Sequence, residues 1–429
     1  MVAMNSLVTD LPTRNEDDVA RLTQAAAGLT ARAAASEWRG PDPYDALSWR
    51  WPSVIVAGAR RRQALTQLHA RAPIDIRSLY RRSHPVIPKA LALFGSAGLR
   101  TCALTGDARA GELGLAAIEL LNADRQAGPC AWGYPWGVQT RWSYNPAGSP
   151  SIVNCAFAVS ALLEAERHAG RTDLGRRARD AARWVLDELW IEPEGFFAYH
   201  PHSRANIHNA NLLGAWLVWT AVGDDAQARQ RVRRAVARTM ARQRRDGSWP
   251  YGEGAANIAW ADSFHTGYVL SCLYRLRDVD PAIADAVDRG ARFYRRFFGP
   301  SGQARLWSDR PHPEDGHSAG TGLSTLALLA RRGLVTEQAL RLVAQRVLDT
   351  GMRDGHVVFR RYGWGLRTFV RYLRWCDAHV ALGLADAAAA LAGIDDLAPR
   401  GPCASAGTAI TAPGHGGAGE AGAQRPSGE

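Results

Sequence analysis

The sequence predicts an all-α protein, specifically an (α/α)6 toroid made of six helical hairpins. The first observation is an internal repeat: short turns rich in glycine and aromatic residues recur 52 to 62 residues apart, centred on Gly133, Gly195, Gly247, Gly302 and Gly355. The second is that amphipathic helices before these turns alternate with helices after them that are apolar on nearly every face. A helix that is apolar all round must be buried, so six of them inside six amphipathic helices predict a closed ring. An open helical solenoid has the same repeat and is the alternative.

The predicted helices follow one another in pairs. They cover residues 54–71, 86–104, 107–123, 150–168, 173–190, 206–222, 224–244, 262–276, 281–298, 317–332, 336–352 and 374–393. The segment 173–190 has a single apolar stripe that includes Leu174, Ala178 and Val185, which is typical of an outer helix. The segment 206–222 is apolar on all faces, which is typical of an inner helix.

The toroid is expected to form one domain over residues 41–398. Residues 1–40 are at best weakly periodic, so we expect a loose or helical N-terminal arm. Residues 399–429 are rich in Gly and Ala and contain almost nothing to bury, so we expect a disordered tail.

Composition and charge exclude several classes of protein. The 429 residues are 46% hydrophobic and 22% charged, as in ordinary globular proteins. The net charge of +11 could suggest nucleic acid, but Lys89 is the only lysine, and the arginines are spread along the helices. We therefore expect no nucleic-acid partner. No apolar stretch is long enough for a transmembrane segment, and six cysteines without a CxxC pair predict reduced thiols and a cytoplasmic location.

Polar residues stand at the N-terminal ends of the predicted inner helices. In a closed toroid these ends share one rim, and polar groups at the mouth of an apolar cavity are typical of a ligand site. The candidates on these helices are His208, Asn209, Asn211, Asp262, His265, His317 and Asp377.

Aromatic residues fill the loops that lead into the same rim. Aromatic planes beside acidic and hydrogen-bonding groups suit carbohydrate, because a sugar has an apolar face and a polar edge. Arg141, with Arg361 or Arg371, could pair bidentately with an acidic sugar. Each tryptophan could instead plug an end of the barrel. The candidates in these loops are Trp132, Tyr134, Trp136, Trp249, Tyr251, Glu253 and Trp260.

Asp262 is the predicted acid/base residue. His265 follows it by three positions, so both side chains can share one helix face, and Glu253 could supply the second carboxylate of a glycoside hydrolase. In lyase or epimerase chemistry the base would be His208, His265 or Tyr251, with the amide of Asn209 or Asn211 stabilising an enolate. The alternative role of Asp262 is that of a helix N-cap.

Neither a metal nor a cofactor is expected. The run His312–His317 is not HExxH, and its proline would break the helix that such a site requires. Cys376, Asp377 and His379 are so close on one helix that they point in different directions. A Gly-rich phosphate loop and a GxSxG elbow are both missing from the sequence.

Several motifs resemble those of known toroid families. The turn QRRDGSW (Gln243–Trp249) is similar to the QxxDGxW repeat of terpenoid cyclases, but their DxDD acid is missing, so isoprenoid cyclisation or prenyl transfer is a lesser alternative. Four further motifs, RGPDPYDALSW, AWGYPW, IHNANLLGA and WADSFHTGY, together with that turn resemble the VpsJ-like proteins of bacterial exopolysaccharide gene clusters.

That resemblance covers residues 39–393 and implies a six-hairpin glycosidase-like fold. It also implies a role in polysaccharide biosynthesis, with an oligosaccharide or polysaccharide as ligand and other biosynthesis proteins as further partners. The reaction could be that of a hydrolase, a lyase or an epimerase. The competing hypothesis is a non-catalytic toroid that holds a glycan or a partner enzyme.

Overall fold

The computed structural model describes residues 10–80, 84–124, 128, 130–255, 257–395 and 397. Within these ranges the chain forms fourteen α-helices: α1 Asp10–Ala35, α2 Ser53–Val56, α3 Gly58–Arg71, α4 Pro88–Thr105, α5 Ala108–Ala123, α6 Ile152–Ala169, α7 Thr172–Glu188, α8 His208–Val222, α9 Ala226–Met240, α10 Ser263–Arg275, α11 Ile283–Tyr294, α12 Gly316–Ala330, α13 Glu337–Arg346 and α14 Ala378–Leu391.

Six helices form a closed inner ring. Helices α4, α6, α8, α10, α12 and α14 each pack against the next, and α14 packs against α4. Their side chains are buried almost throughout; in α8, for example, both Trp216 and Trp219 lie inside. The predicted (α/α)6 toroid is therefore confirmed, and the open solenoid is excluded because its two ends would not meet.

The outer ring consists of α5, α7, α9, α11, α13 and α1. These helices bury one stripe, as in α7, where Leu174, Ala178 and Val185 face inward while Arg176 is exposed. Helix α1 packs against α14, α4 and α5, and its Leu22 and Leu29 belong to the core. The segment that we expected to be an N-terminal arm is thus part of the barrel wall from residue 10 onward. Residues 1–9 of that arm lie outside the described residues.

Helix α3 differs from the prediction for residues 54–71. We expected it to be the outer helix of the first hairpin, but α1 takes that place. Instead, α3 contacts the short 3-10 helix Asp45–Ser48 and the loop strand Val138–Gln139. It therefore lies over the rim at the N-terminal ends of the inner helices.

Short strands organise the loops of the barrel ends. They pair antiparallel as β1 Val138–Gln139 with β2 Tyr144–Asn145, β3 Trp190–Ile191 with β4 Phe196–Phe197, β5 Asn206–Ile207 with β6 Gly252–Glu253, β7 Glu314–Asp315 with β10 Arg360–Arg361, and β8 Met352–Arg353 with β9 His356–Val357. The remaining 3-10 helices are Ile76–Leu79, Arg295–Phe297 and Gly363–Gly365, and two π-helical turns span Val347–Gly351 and Leu373–Asp377.

The QRRDGSW turn has a structural role. The Gln243 amide donates to the carbonyls of Gly247 and Ala286, which ties α9 to α11. Gly247 has a φ of +89°, and a Cβ there would come within 2.3 Å of the Arg289 carbonyl oxygen, so a side chain does not fit. Trp249 is buried and donates to the Thr239 carbonyl at 3.1 Å.

Among the described residues, no helix is both long enough and apolar enough to cross a bilayer. The tail expected over residues 399–429 lies outside the described residues.

Candidate functional site

A cavity of about 520 Å³ opens at the rim formed by the N-terminal ends of the inner helices. Its wall comes from the loops before α6, α8, α10, α12 and α14, and α3 covers one side through Gln63 and Gln67. We call it the rim cavity. It has the location that the sequence predicted for a ligand site.

Asp262 and His265 form a hydrogen-bonded pair in the rim cavity. Asp262 precedes the first residue of α10, and its Oδ1 accepts the His265 backbone N–H at 3.0 Å, so it caps the helix. The His265 ring nitrogen Nδ1 lies 2.9 Å from both carboxylate oxygens. Because a carboxylate accepts hydrogen bonds, Nδ1 carries the proton and Nε2 is the nitrogen left for a ligand.

Aromatic rings surround this pair. Tyr251 stacks on Trp260 with ring centroids 4.4 Å apart, and the Tyr251 ring lies 4.5 Å from His265. Trp307 meets Trp260 edge-on at 6.1 Å. The rim cavity also has Trp142 and Tyr199 in its wall, in edge contact at 5.6 Å. Such flat apolar walls suit the apolar face of a sugar ring.

Two buried ion pairs stabilise another part of the cavity wall. The guanidinium of Arg374 donates to Asp42, and that of Arg360 donates to Asp315 at 3.0 Å. The other oxygen of Asp42 accepts the Tyr44 backbone N–H. Both oxygens of Asp42 are therefore occupied, and its charge is neutralised.

Arg141 differs from these two arginines because it has no acidic partner among the described residues. It is exposed in the cavity wall and has no ion pair with any residue that the structure describes. Its guanidinium is thus free to bind an acidic ligand.

A second polar layer lies directly beneath the cavity. The buried Lys89 ammonium donates to the Tyr268 hydroxyl at 3.2 Å, and that hydroxyl is 3.3 Å from Nε2 of both His317 and His379. Burial lowers the pKa of Lys89, His317 and His379 well below their usual values. His317 stacks against Trp375, which lines the cavity, so this predicted residue contacts the wall from behind.

Seven of the residues predicted from the sequence meet in the rim cavity. They come from two loops and the start of α10: Tyr134, Trp136, Arg141, Tyr251, Trp260, Asp262 and His265. The proximity of these side chains is what the repeat of polar and aromatic residues on one rim predicted.

Glu253 is not one of them. Its carboxylate is held by Asn206, Arg238 and Arg242 outside the cavity lining. Desolvation opposes ionisation, but the Asn206 hydrogen bond and the two arginines lower the pKa of Glu253. The expectation that Glu253 supplies the second carboxylate beside Asp262 is therefore wrong on geometric grounds.

Other predicted residues on α8 serve the packing of the barrel. Asn211 bridges the Phe197 N–H and the Ala235 carbonyl, so its amide is fully used between neighbouring elements. His208 is buried with Nδ1 near the Thr239 hydroxyl at 3.3 Å, and Asn209 is also buried. None of these three lines the rim cavity.

The remaining predicted residues lie elsewhere. Trp132 is buried and donates to the Leu121 carbonyl, and Trp249 has the structural role described above. Asp377 binds His356 at 2.7 Å and the Val357 N–H at 2.8 Å. Arg371 is exposed beside Asp354, and neither it nor Arg361 lines the rim cavity.

Sequence reasoning missed several cavity residues. Asp42 and Tyr44 belong to the RGPDPYDALSW motif, which was used only for the family resemblance, and Arg374 and Trp375 precede α14. Lys89, which lies outside the cavity lining, was also missed, although it stands out in the sequence as the only lysine.

Within the described parts of the chain, no three His, Cys, Asp or Glu side chains are grouped so that they could hold a metal. Asp377 faces His356, whereas His379 faces Tyr268, so the Cys376–His379 run diverges as expected from adjacent positions on a helix.

Solved structures of glycan-processing enzymes have the same fold. An unsaturated glucuronyl hydrolase specific for heparin matches with a TM-score of 0.60 at 11% identity, over 89% of this chain and 99% of its own. An unsaturated glucuronyl hydrolase from Bacillus sp. GL1 matches with a TM-score of 0.58 at 13% identity, over 85% and 96%. A cellobiose 2-epimerase from Bacillus thermoamylovorans B4167 matches with a TM-score of 0.54 at 12% identity, over 70% and 87%.

Comparison with models of protein families gave no match, and neither did comparison with curated proteins. The exopolysaccharide family named from the motifs therefore stays a prediction. These three enzymes are only 11–13% identical to this chain, so they show the fold alone: this chain has the (α/α)6 toroid of the glucuronyl hydrolases and sugar epimerases.

Proposed function

We propose that the chain is a carbohydrate-active enzyme that binds an acidic oligosaccharide in the rim cavity. The observation that carries the proposal is the Asp262–His265 pair, which faces an aromatic cavity open to a ligand. His265 is the proposed general base and acid, and Asp262 orients its ring and stabilises the imidazolium.

The aromatic wall and Arg141 support the substrate class. Tyr251 and Trp260 offer ring faces to a sugar, and Arg141 offers an unpaired guanidinium to a carboxylate. Two of the structurally similar enzymes are named for their action on unsaturated glucuronyl groups, which are acidic sugars. A uronate-containing oligosaccharide fits both features.

The carboxylates of the cavity support the proposed reaction class. Hydrolysis by two carboxyl groups needs one protonated and one ionised group flanking the bond. Of the two aspartates that line the cavity, Asp42 is held by Arg374 and the Tyr44 N–H, and only Asp262 stands beside a titratable partner. The site therefore favours proton transfer by an imidazole over hydrolysis by two carboxylates.

In this scheme Nε2 of His265 removes the proton on the ring carbon next to the uronate carboxyl group. The negative charge passes to that carboxyl group, which Arg141 stabilises. Return of a proton to the other face of the carbon gives an epimer. Alternatively, the C–O bond to the neighbouring sugar breaks at the adjacent ring carbon, which gives an unsaturated product. The leaving oxygen takes up a proton and departs as a hydroxyl group. Epimerase and lyase thus share the first step.

The biological setting is part of the same proposal. The five motifs support a place in bacterial exopolysaccharide or capsule biosynthesis, and the cysteine pattern supports a cytoplasmic location. Other proteins of the assembly pathway would then be partners.

The test is incubation of the protein with uronate-containing and neutral oligosaccharides in deuterated water. New unsaturation indicates a lyase, deuterium at a ring carbon indicates an epimerase, and new reducing ends alone indicate a hydrolase. Unsaturation or ring deuteration that is lost in His265→Gln supports the proposal. Tight binding without any product would favour the non-catalytic toroid, and preferential binding of a prenyl diphosphate would favour the terpenoid alternative; either result overturns the proposal.

A further inference from the structure

The exposed apolar side chains of this protein are concentrated in one region. Twelve large hydrophobic residues are strongly exposed among the described residues, and all except Leu120 lie in residues 49–79, at Tyr144 or in residues 362–369. The most exposed are Trp364, which is wholly in solvent, and Leu79, at 86%. Scattered exposed hydrophobic residues need no explanation, but a concentration of this kind marks an interaction surface.

Contacts join these segments into one surface. The Phe369 N–H donates to the Pro73 carbonyl at 2.7 Å, which sets residues 362–369 beside residues 49–79. The Arg62 guanidinium lies 4.4 Å from the ring centroid of Tyr144. Both segments also line the rim cavity, through Gln67 and Tyr362. We call this surface the apolar rim; it flanks the mouth of the cavity.

The charge of the apolar rim is predominantly positive. Residues 49–79 contain six arginines and a single acid, Asp75, and residues 360–371 contain four arginines and no acid. Four of these arginines are exposed and form no ion pair with any described residue: Arg50, Arg60, Arg61 and Arg71. Exposed large apolar residues interleaved with arginine are typical of proteins that bind at a membrane surface.

Trp364 supplies a separate observation. It lies between two glycines with a φ of +63°, a left-handed conformation that is unfavourable for a residue with a side chain. Its ring is wholly in solvent, so the fold gains no packing from this arrangement. Strained, fully exposed residues are found where a ligand supplies the missing contacts, and tryptophan favours the interface between lipid and water.

We propose that the apolar rim docks on an anionic lipid bilayer, with the mouth of the rim cavity facing the membrane. The occupant is a bilayer because six of the eleven exposed residues are aliphatic, such as Val54, Ile74 and Leu366, and aliphatic side chains suit acyl chains but offer no flat face to a sugar. A second copy of the chain would bring the same positive charge against this surface. The proposal rests on the surface alone and does not need the proposed catalytic function.

The test is co-sedimentation of the full chain with vesicles of phosphatidylcholine, either alone or mixed with phosphatidylglycerol. We expect binding to the mixed vesicles, weakened by salt, and at least tenfold weaker binding to the neutral ones. The triple variant Trp364→Ser, Leu366→Ser, Phe369→Ser should lose at least tenfold in partitioning, because it removes the inserted apolar area. The double variant Arg50→Gln, Arg60→Gln should lose about fivefold per arginine.

Leu120→Ser and Arg176→Gln are the matched controls, since both residues are exposed on outer helices away from the apolar rim. Their partitioning should equal that of the wild type, with unchanged near-UV circular dichroism in all variants. Asp262→Asn should also bind vesicles normally, which separates this proposal from the proposed reaction. Equal binding to both kinds of vesicle, or wild-type partitioning of the triple variant, overturns the proposal. So does a concentration-dependent dimer that the triple variant abolishes.

Discussion

The carboxylate of Asp262 binds His265 twice, once at the backbone and once at the ring. Oδ1 accepts the His265 backbone N–H at 3.0 Å, and Nδ1 of the ring lies 2.9 Å from both carboxylate oxygens. The residue that caps α10 therefore also fixes the His265 ring on the first turn of that helix. Capping and catalytic positioning coexist in one side chain, and substitutions can separate them.

Asp262→Asn should retain the helix cap and lose activity. Asparagine caps about as well as aspartate, so stability should stay within about 0.5 kcal/mol, whereas Asp262→Ala should cost about 0.5–2 kcal/mol. Both should lower kcat about 100- to 10,000-fold because the imidazolium loses its counter-charge. Thermal unfolding and product formation measure the two effects. The control is Asp225→Asn, another N-cap, on α9 and outside the cavity lining. Full activity of the folded Asp262→Asn protein would assign Asp262 to capping alone.

Arg141→Gln should weaken the binding of acidic oligosaccharides about tenfold and leave neutral ones nearly unchanged. The expected loss corresponds to a charge-assisted hydrogen bond, which is worth roughly 1.5–3 kcal/mol before solvent screening. Isothermal titration at two salt concentrations checks this. Arg371→Gln, at an exposed arginine outside the cavity lining, serves as control. An equal loss for neutral and acidic ligands would contradict a role in charge recognition.

Asp42→Ala should destabilise the fold by about 3–5 kcal/mol, because it leaves the buried Arg374 without its partner. Asp309→Ala breaks an exposed pair with Arg310 and should cost less than about 1 kcal/mol. Urea unfolding measures both free energies. Similar small losses in the two variants would show that Arg374 finds another partner.

His208 should make the protein less stable in acid. Burial lowers the pKa of His208 to about 4 from an ordinary value of 6.5, so between these values the unfolded chain binds more protons than the folded one. The free energy of unfolding therefore falls as the pH drops through 6.5, by about 2 kcal/mol between pH 7 and pH 5 from this residue. Urea titrations of wild type and His208→Gln should show a stability difference that shrinks by that amount. If the stability difference between wild type and His208→Gln stays constant with pH, His208 is not the source of the acid sensitivity.

Two helical glycines should respond oppositely to alanine. In Gly290 of α11, a Cβ would come within 2.6 Å of the Trp249 ring, so Gly290→Ala should cost about 1–3 kcal/mol. In Gly28 of α1, a Cβ would meet only the flexible Arg32 side chain at 3.6 Å, so Gly28→Ala should add up to about 1 kcal/mol. Thermal unfolding distinguishes the two; a neutral Gly290→Ala would show that Trp249 can shift.

Periodicity was sufficient to predict the ring from α4 to α14. Leu212, Trp216 and Trp219 spread around one helix, and only a buried inner helix accommodates that pattern. Periodicity did not predict that α1 belongs to the barrel wall. Its inward positions include the alanines Ala26 and Ala33, which contribute little to an apolar stripe. Helix α3 was predicted as an outer helix of the barrel because Leu68 looks like a core residue in the sequence. In the structure Leu68 is exposed.

The site was predicted best where its residues are near one another in the chain. Tyr251, Trp260 and His265 fall within fifteen positions, and all of them reach the cavity. Asp42 and Arg374 are 332 positions apart, and no local pattern indicates that they pair. Glu253 is two residues from Tyr251, yet its carboxylate is held outside the cavity lining by Asn206 and by two arginines of the preceding segment, and no local pattern indicates those partners.

The placement of α1 has a consequence for synthesis. Among the described helices, α1 is synthesised first and α14 last, yet these two helices pack together in the finished barrel. While the chain is being elongated, α1 can dock only on α4 and α5, and the gap beside it stays open. Helix α14 then enters a groove between α12 and α4, and the segment before it brings Arg374 and Trp375 to the cavity. A nascent chain that has not yet reached α14 is therefore an open arc without a complete binding site, and the site forms only once α14 has been made.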